Sequence, residues 1–393
     1  MSETLNYSSS TTLVTDTIST SKIAVNLDTL KQWPYLTPST ANSPIIQAGL
    51  TRLANTYLNT QGGAFWSNVS TYTQFTASNN GYGGAVLLPD GRVLLSPNGG
   101  TNIGLFNPLT NSFTTVSGIT NTSSWYGGGV LFPDGRVGIT PWNSQNIGIF
   151  NPATNSWTTF SSVGGTQNYQ YFGGCISPTG LFVMPPYRAT NVGLYNPATN
   201  TFTTFSGVGS GTDYYNASIA LPDGRMVFTP ASATTGNIGI FNPINLTFST
   251  VTVNVSNYSY QGGVVVPDGP VIMCPLGVGN VGIFNPSTNS FSTAVPSGLV
   301  SLASNYNNAV LIPDGRVLFI AQAATNFGIY NPVTNSFTTI SGAPGGNAYW
   351  GGVLIPDGRI IAAPRSATTI GVVSGFNQGA PRELCLHPMF NKF

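Results

Sequence analysis

From residue 82 almost to the end of the chain, short apolar runs alternate with polar turns in a fixed order. Residues 82–118, YGGAVLLPDGRVLLSPNGGTNIGLFNPLTNSFTTVSG, set out one cycle. The runs AVLL and RVLL flank Pro-Asp-Gly, in which proline presets φ, aspartate caps the backbone and glycine accepts positive φ, so the pair reads as a β-hairpin. A third run, NIGLF, leads into a second turn, Asn-Pro-Leu-Thr-Asn, followed by FTTV, with Phe106 and Phe113 on either side. Runs this short, bounded by turn residues on both sides, are strands rather than helices.

The cycle repeats. The turn proline recurs at Pro89, Pro133, Pro178, Pro222, Pro267, Pro313 and Pro356, with spacings between 43 and 46 residues. The second turn recurs at Asn107, Asn151, Asn196, Asn242, Asn285 and Asn331. Four short strands per cycle, repeated seven times, cannot each bury their faces alone and must stack in a ring. The expected fold is all-β: a seven-bladed β-propeller of four-stranded antiparallel blades, with an N-terminal arm and a short helix. The last cycle has a third strand, Ile370 to Val373, but then becomes SGFNQGAPREL, without an Asn-Pro turn or fourth strand. Phe65 and Tyr72 stand seven apart, like Phe106 and Phe113, so residues about 70–77 are expected to complete the last blade and remove the free edges.

Outside the repeats, residues 1–40 read as an extended arm rich in Ser and Thr. A short amphipathic helix is expected over 41–60, with Ser43 as cap, Pro44 in the first turn, and Ile46, Leu50, Leu53 and Tyr57 on one face. The propeller spans 61–376. Residues 377–393 form a tail made apolar by Leu384, Leu386, Met389, Phe390 and Phe393, suited to docking on a neighbour.

Composition narrows the function. Only 6% of the 393 residues are charged and the net charge is +1, so no field is present to attract nucleic acid, and neither a signal peptide nor membrane insertion is expected. The three cysteines form no disulfide framework. Cys175 occupies a slot held elsewhere by Val86, Val130 and Val264, and reads as a small core residue.

The LPDGRV block followed by aromatic-Asn-Pro-x-Thr-Asn-x-aromatic resembles Kelch-type repeats, most of all those of the propeller domain of galactose oxidase, over roughly residues 61–374. One departure is proline at 97, 141, 185, 230, 275 and 364, where Kelch units usually carry a Gly-Gly pair. The resemblance implies a copper held by histidines and tyrosines. This chain has one histidine, His387, in the tail, so no copper site and no other cofactor is expected.

Most carboxylates and arginines belong to the repeated turns, as in Asp90 with Arg92 or Asp357 with Arg359, where backbone capping and blade-to-blade bonding account for them. Paired acids, a Ser-His-Asp relay, metal clusters and phosphate loops are missing, and the chain is expected not to be an enzyme. What remains is surface. Seven residues before each turn proline stands a tyrosine: Tyr82, Tyr126, Tyr171, Tyr215, Tyr260, Tyr306 and Tyr349. These either form a binding ring at one mouth of the channel or wedge between blades. Trp125, Trp142, Tyr187, Arg188, Trp350 and Arg365 break the repeat near the same mouth and are the other binding candidates. The function expected is a non-enzymatic, surface-displayed propeller of a particle or appendage, such as a virion protein, on the virion or particle surface. It would contact other protein subunits through arm and tail, and glycans. The alternatives are a lectin-like carbohydrate-binding module and an intracellular Kelch-type adaptor.

Overall fold

The computed structural model describes residues 69–72, 81–119, 126–161, 163, 169–208, 214–231, 236–253, 259–267, 269–299 and 305–376. The expected arm, the helix over 41–60 and the tail lie outside the described residues.

In blade 1 the inner hairpin closes as its turn chemistry demands. Asp90 Oδ1 accepts the Arg92 amide at 3.0 Å, Leu88 N–H bonds to the Arg92 carbonyl, and Gly91 takes φ 87°. At the second turn Asn107 Oδ1 accepts the Leu109 amide at 3.0 Å, and Asn111 enters the left-handed region at φ 51°. The Asx bond repeats at Asn151, Asn196, Asn242, Asn285 and Asn331, and the left-handed position at Asn155, Asn200, Asn289 and Asn335. Blade 4 puts Leu246 there instead, at φ 53° and about half exposed.

The strands form seven antiparallel four-stranded sheets, so the expected seven-bladed all-β fold holds, with no helix among the described residues. Blade 1 runs outward in chain order from Tyr82–Leu87 through Val93–Pro97 and Asn102–Asn107 to Ser112–Ser117. Blade 7 is assembled from both ends of the described chain. Val69–Tyr72 lies antiparallel to Ile370–Val373 as its outer strand, with Val69 opposite Val373 and Tyr72 opposite Ile370. Residues 73–77 of the stretch proposed for this role lie outside the described residues.

The cores lie between blades. Ala85 and Val93 of blade 1 pack with Val353 and Ile361 of blade 7, and Ile272 of blade 5 packs with Leu318 of blade 6. Cys175 and Cys274 are free thiols in this interior.

Two sets of hydrogen bonds bind the blades edge to edge. On the turn face, Arg92 pairs with Asp90 at 2.6 Å and reaches the Pro152 carbonyl of blade 2. Arg136 reaches Pro197, Arg225 reaches Pro286, and Arg359 reaches Pro108, which joins blade 7 to blade 1. On the opposite face, backbone bonds run alternately within and between blades. Asn98 N donates to Gly81 O, Gly81 N to Arg365 O, Arg365 N to Ala348 O, and Ala348 N to Gln322 O. The chain of bonds continues through Asn305 and Leu276, and again through Tyr214, Tyr187 and Gln170.

The inner strands surround the axis, and each begins irregularly. Register slips after Tyr82, Tyr126, Tyr215, Tyr260, Tyr306 and Tyr349. A bulge leaves the next residue outside the ladder and turns its side chain away from the sheet. This irregularity is what builds the mouth.

Candidate functional site

The repeated tyrosines are not a surface ring. Tyr82, Tyr171, Tyr215, Tyr260, Tyr306 and Tyr349 are all at most 4% exposed. The cause is local: each ring passes under its own blade to a glycine on the third strand. A Cβ on Gly104 would stand 2.8 Å from the Tyr82 ring and 2.9 Å from Phe113, so only glycine leaves room for both. Tyr306 donates its hydroxyl to Asn326 Oδ1 at 2.9 Å, and Tyr171 and Tyr260 donate likewise to Asn191 and Asn280. Burial raises the pKa of Tyr82, Tyr171, Tyr215, Tyr260 and Tyr306 well above the ordinary phenol value. Of Tyr126 only the backbone is described, opening its strand opposite Pro141, and Trp125 lies outside the described residues.

The residues that break the repeat do converge. In the slot after each tyrosine stand Gly83, Gly127, Phe172, Asn216, Gln261, Asn307 and Trp350 in blades 1 to 7. Phe172 and Trp350 come from blades that are not neighbours, yet their rings lie 5.7 Å apart, so both point into the axis. Trp142, just after the second strand of blade 2, lies 5.1 Å from Phe172 and 5.6 Å from Trp350. These are edge and tilted contacts of the kind aromatic pairs favour. A Cβ on Gly127 would stand 3.6 Å from the Phe172 ring of the adjoining blade. Tyr187 and Tyr169 extend the cluster, at 6.2 Å from Phe172 and 5.1 Å from Trp142 respectively.

Phe172, Tyr187 and Trp350 form the buried part of the cluster. Trp142 and Tyr169 are only partly covered and form its outer face. Two arginines stack on rings of the cluster. The exposed Arg188 lies 4.9 Å from the Tyr169 ring and 5.9 Å from that of Tyr187. Arg365 lies 3.8 Å from the Trp350 ring, and burial lowers its pKa. Beside Trp350 and Arg365, where blade 6 meets blade 7, the mouth carries carboxamides. Asn307 Nδ2 donates to Gln322 Oε1 at 3.1 Å and Gln322 Nε2 to Asn347 Oδ1 at 2.9 Å, while Asn216 and Gln261 keep the bulge slot in blades 4 and 5.

Of the sequence candidates, the structure therefore brings Trp142, Tyr187, Arg188, Trp350 and Arg365 together. It adds Tyr169, Phe172, Gln322 and Asn347. A signal for Gln322 was visible, since it follows Ala321 where six other blades have proline; Tyr169 sits in a connection outside the repeat and had none. Among the described residues no group of three or more His, Cys, Asp or Glu could hold a metal ion. Ring faces, amides and guanidinium groups at one mouth can hold a polar molecule that also has an apolar face.

In fold the chain is similar to virginiamycin B lyase from Staphylococcus aureus. The two share 14% identity, covering 79% of this chain and 99% of that one, with a TM-score of 0.67. Hydrazine synthase of Kuenenia stuttgartiensis matches at 14% identity and a TM-score of 0.62, covering 77% of this chain and 98% of that one. A chain of the mitotic checkpoint complex matches at 11% and 0.61, covering 80% and 93%. No protein-family model matches the sequence, and no curated protein matches it. The expectation that the chain is not an enzyme is corrected here. A lyase carries this architecture, so the lack of a familiar motif in the repeated turns does not exclude catalysis. At these identities the likeness conveys the fold alone.

Proposed function

We propose that the protein is a recognition propeller whose aromatic mouth, formed by blades 7, 2 and 3, holds a carbohydrate or a similar polar ring. The observation that carries this reading is the convergence of repeat-breaking residues. Trp142, Tyr169 and Arg188 lie on the outer side of one aromatic cluster, and the Asn307, Gln322 and Asn347 carboxamides bond to one another where blade 6 meets blade 7. Residues that every blade needs are packing devices; those that differ between blades and gather at one place are available for recognition. Sugar rings offer an apolar face to aromatic rings and hydroxyls to amides, which is the pairing found here.

The LPDGRV and aromatic-Asn-Pro blocks support reading the repeats as Kelch-type, and the low charge supports display on an outer surface or particle. The lyase likeness adds no catalytic residue to this reading. The test is a glycan array with the full chain and with Trp142→Ala. Wild-type signal on a defined glycan set, reduced about tenfold or more in the variant, is expected from loss of one stacking face. An array blank for the wild-type protein would overturn the proposal.

A further inference from the structure

Building on that reading, we infer that the ligand held at this mouth is acidic, a carboxylate-bearing sugar whose anionic group sits against Arg365. Five of the seven arginines among the described residues follow an aspartate by two positions and pair with it at 2.6 Å. Those pairs all lie on the turn face. Arg365 differs: it stands at the opposite mouth, half-buried, and makes no ion pair or side-chain hydrogen bond with a described residue. Its guanidinium carbon lies 3.8 Å from the centroid of the Trp350 ring. A cation–π contact of this kind uses none of the guanidinium's N–H hydrogen bonds. Removing an arginine from water without an acceptor is costly, and a bidentate carboxylate fits its N–H edge.

A second observation points to the same place. Trp350 is 7% exposed and its indole N–H is buried without a hydrogen-bond partner. Asn347 lies in the adjoining loop, where Ser366 donates its hydroxyl to the Asn347 carbonyl at 2.9 Å. Its side-chain oxygen is taken by Gln322 Nε2, so the amide nitrogen remains as a donor. All five described carboxylates, at Asp90, Asp134, Asp223, Asp314 and Asp357, belong to the turn face. The mouth thus presents a guanidinium and N–H donors beside ring faces, with no described anion of its own. A neutral sugar would use the rings and amides and leave the guanidinium unmatched. An acidic one uses all of them.

Isothermal titration separates the cases with two matched pairs: sialyllactose against lactose, and trigalacturonate against its methyl ester. In at least one pair the acid is expected to bind about tenfold more tightly than its neutral partner, as one charge-assisted bidentate contact allows. Arg365→Gln should erase that preference at unchanged melting temperature, because the backbone carbonyl that ties blade 7 to blade 1 is kept. Arg365→Lys should retain part of it, and high salt should weaken it. Equal affinity for acid and neutral sugars, or a preference that survives Arg365→Gln, would overturn the acidic assignment and leave recognition at the mouth standing. If no sugar of either kind binds, both readings fall.

Discussion

A single leucine marks how strictly this fold uses its turns. At the second turn the left-handed position is asparagine at Asn111, Asn155, Asn200, Asn289 and Asn335, but Leu246 in blade 4, at φ 53°. A leucine pays for that backbone where asparagine bonds locally and tolerates it. Leu246→Asn is expected to stabilise the protein by about 1 kcal/mol, since the side chain is about half exposed and little buried surface is given up in exchange. Chemical denaturation with the midpoint unchanged or lowered would contradict this. The buried tyrosines give a pH dependence. Their folded pKa values are raised above the unfolded value, so the neutral phenols contribute stability that is complete below about pH 10. That contribution is lost as pH rises further and the unfolded chain ionises first. The melting temperature should hold from neutral to about pH 9 and fall steeply beyond pH 10, together with the absorbance change of phenolate. Tyr306→Phe, which strands Asn326 without its hydroxyl partner, should cost about 1 kcal/mol by the same denaturation measurement.

At the scale of the strand, closure depends on four residues far from the rest of blade 7. Val69–Tyr72 covers Ile370–Val373, and without it that strand would present an open edge. Deleting residues 61–80 is expected to lower the melting temperature strongly and in one cooperative step. A deletion variant that melts like the parent would show that the Arg359 to Pro108 bond, the Gly81 to Arg365 bond and the blade 7 to blade 1 core close the ring unaided. The strands themselves were plain in the text of the chain because each turn names its own chemistry: Pro-Asp-Gly and Asn-Pro-x-x-Asn allow little besides the hairpins seen. The bulges were not plain. Gly83, Asn216, Gln261 and Trp350 have nothing in common as residue types, yet the register slips beside each of them.

For the molecule as a whole, that difference explains why the fold was legible and the site only partly so. Periodicity identifies residues every blade needs, and the seven tyrosines were its strongest signal, yet the six with described side chains fill the gap over Gly104 and its counterparts. Departures from the period were the better guide. Trp142, Tyr187, Arg188, Trp350 and Arg365 each break it, and all meet at one mouth. Which of them touch was beyond the sequence, since Trp350 finds Trp142 and Phe172 across the axis from blades 2 and 3. The opposite face offers an internal control, with Leu109 and Val333 exposed on turns far from the mouth. The decisive measurement is calorimetric titration of one array-selected glycan into wild type, Trp142→Ala, Arg188→Ala and a Leu109→Ala/Val333→Ala double variant. Affinity should fall about tenfold or more in each mouth variant and stay at the wild-type value in the double variant. Full affinity in both mouth variants, or a loss confined to the turn-face variant, would contradict the assignment of recognition to this mouth.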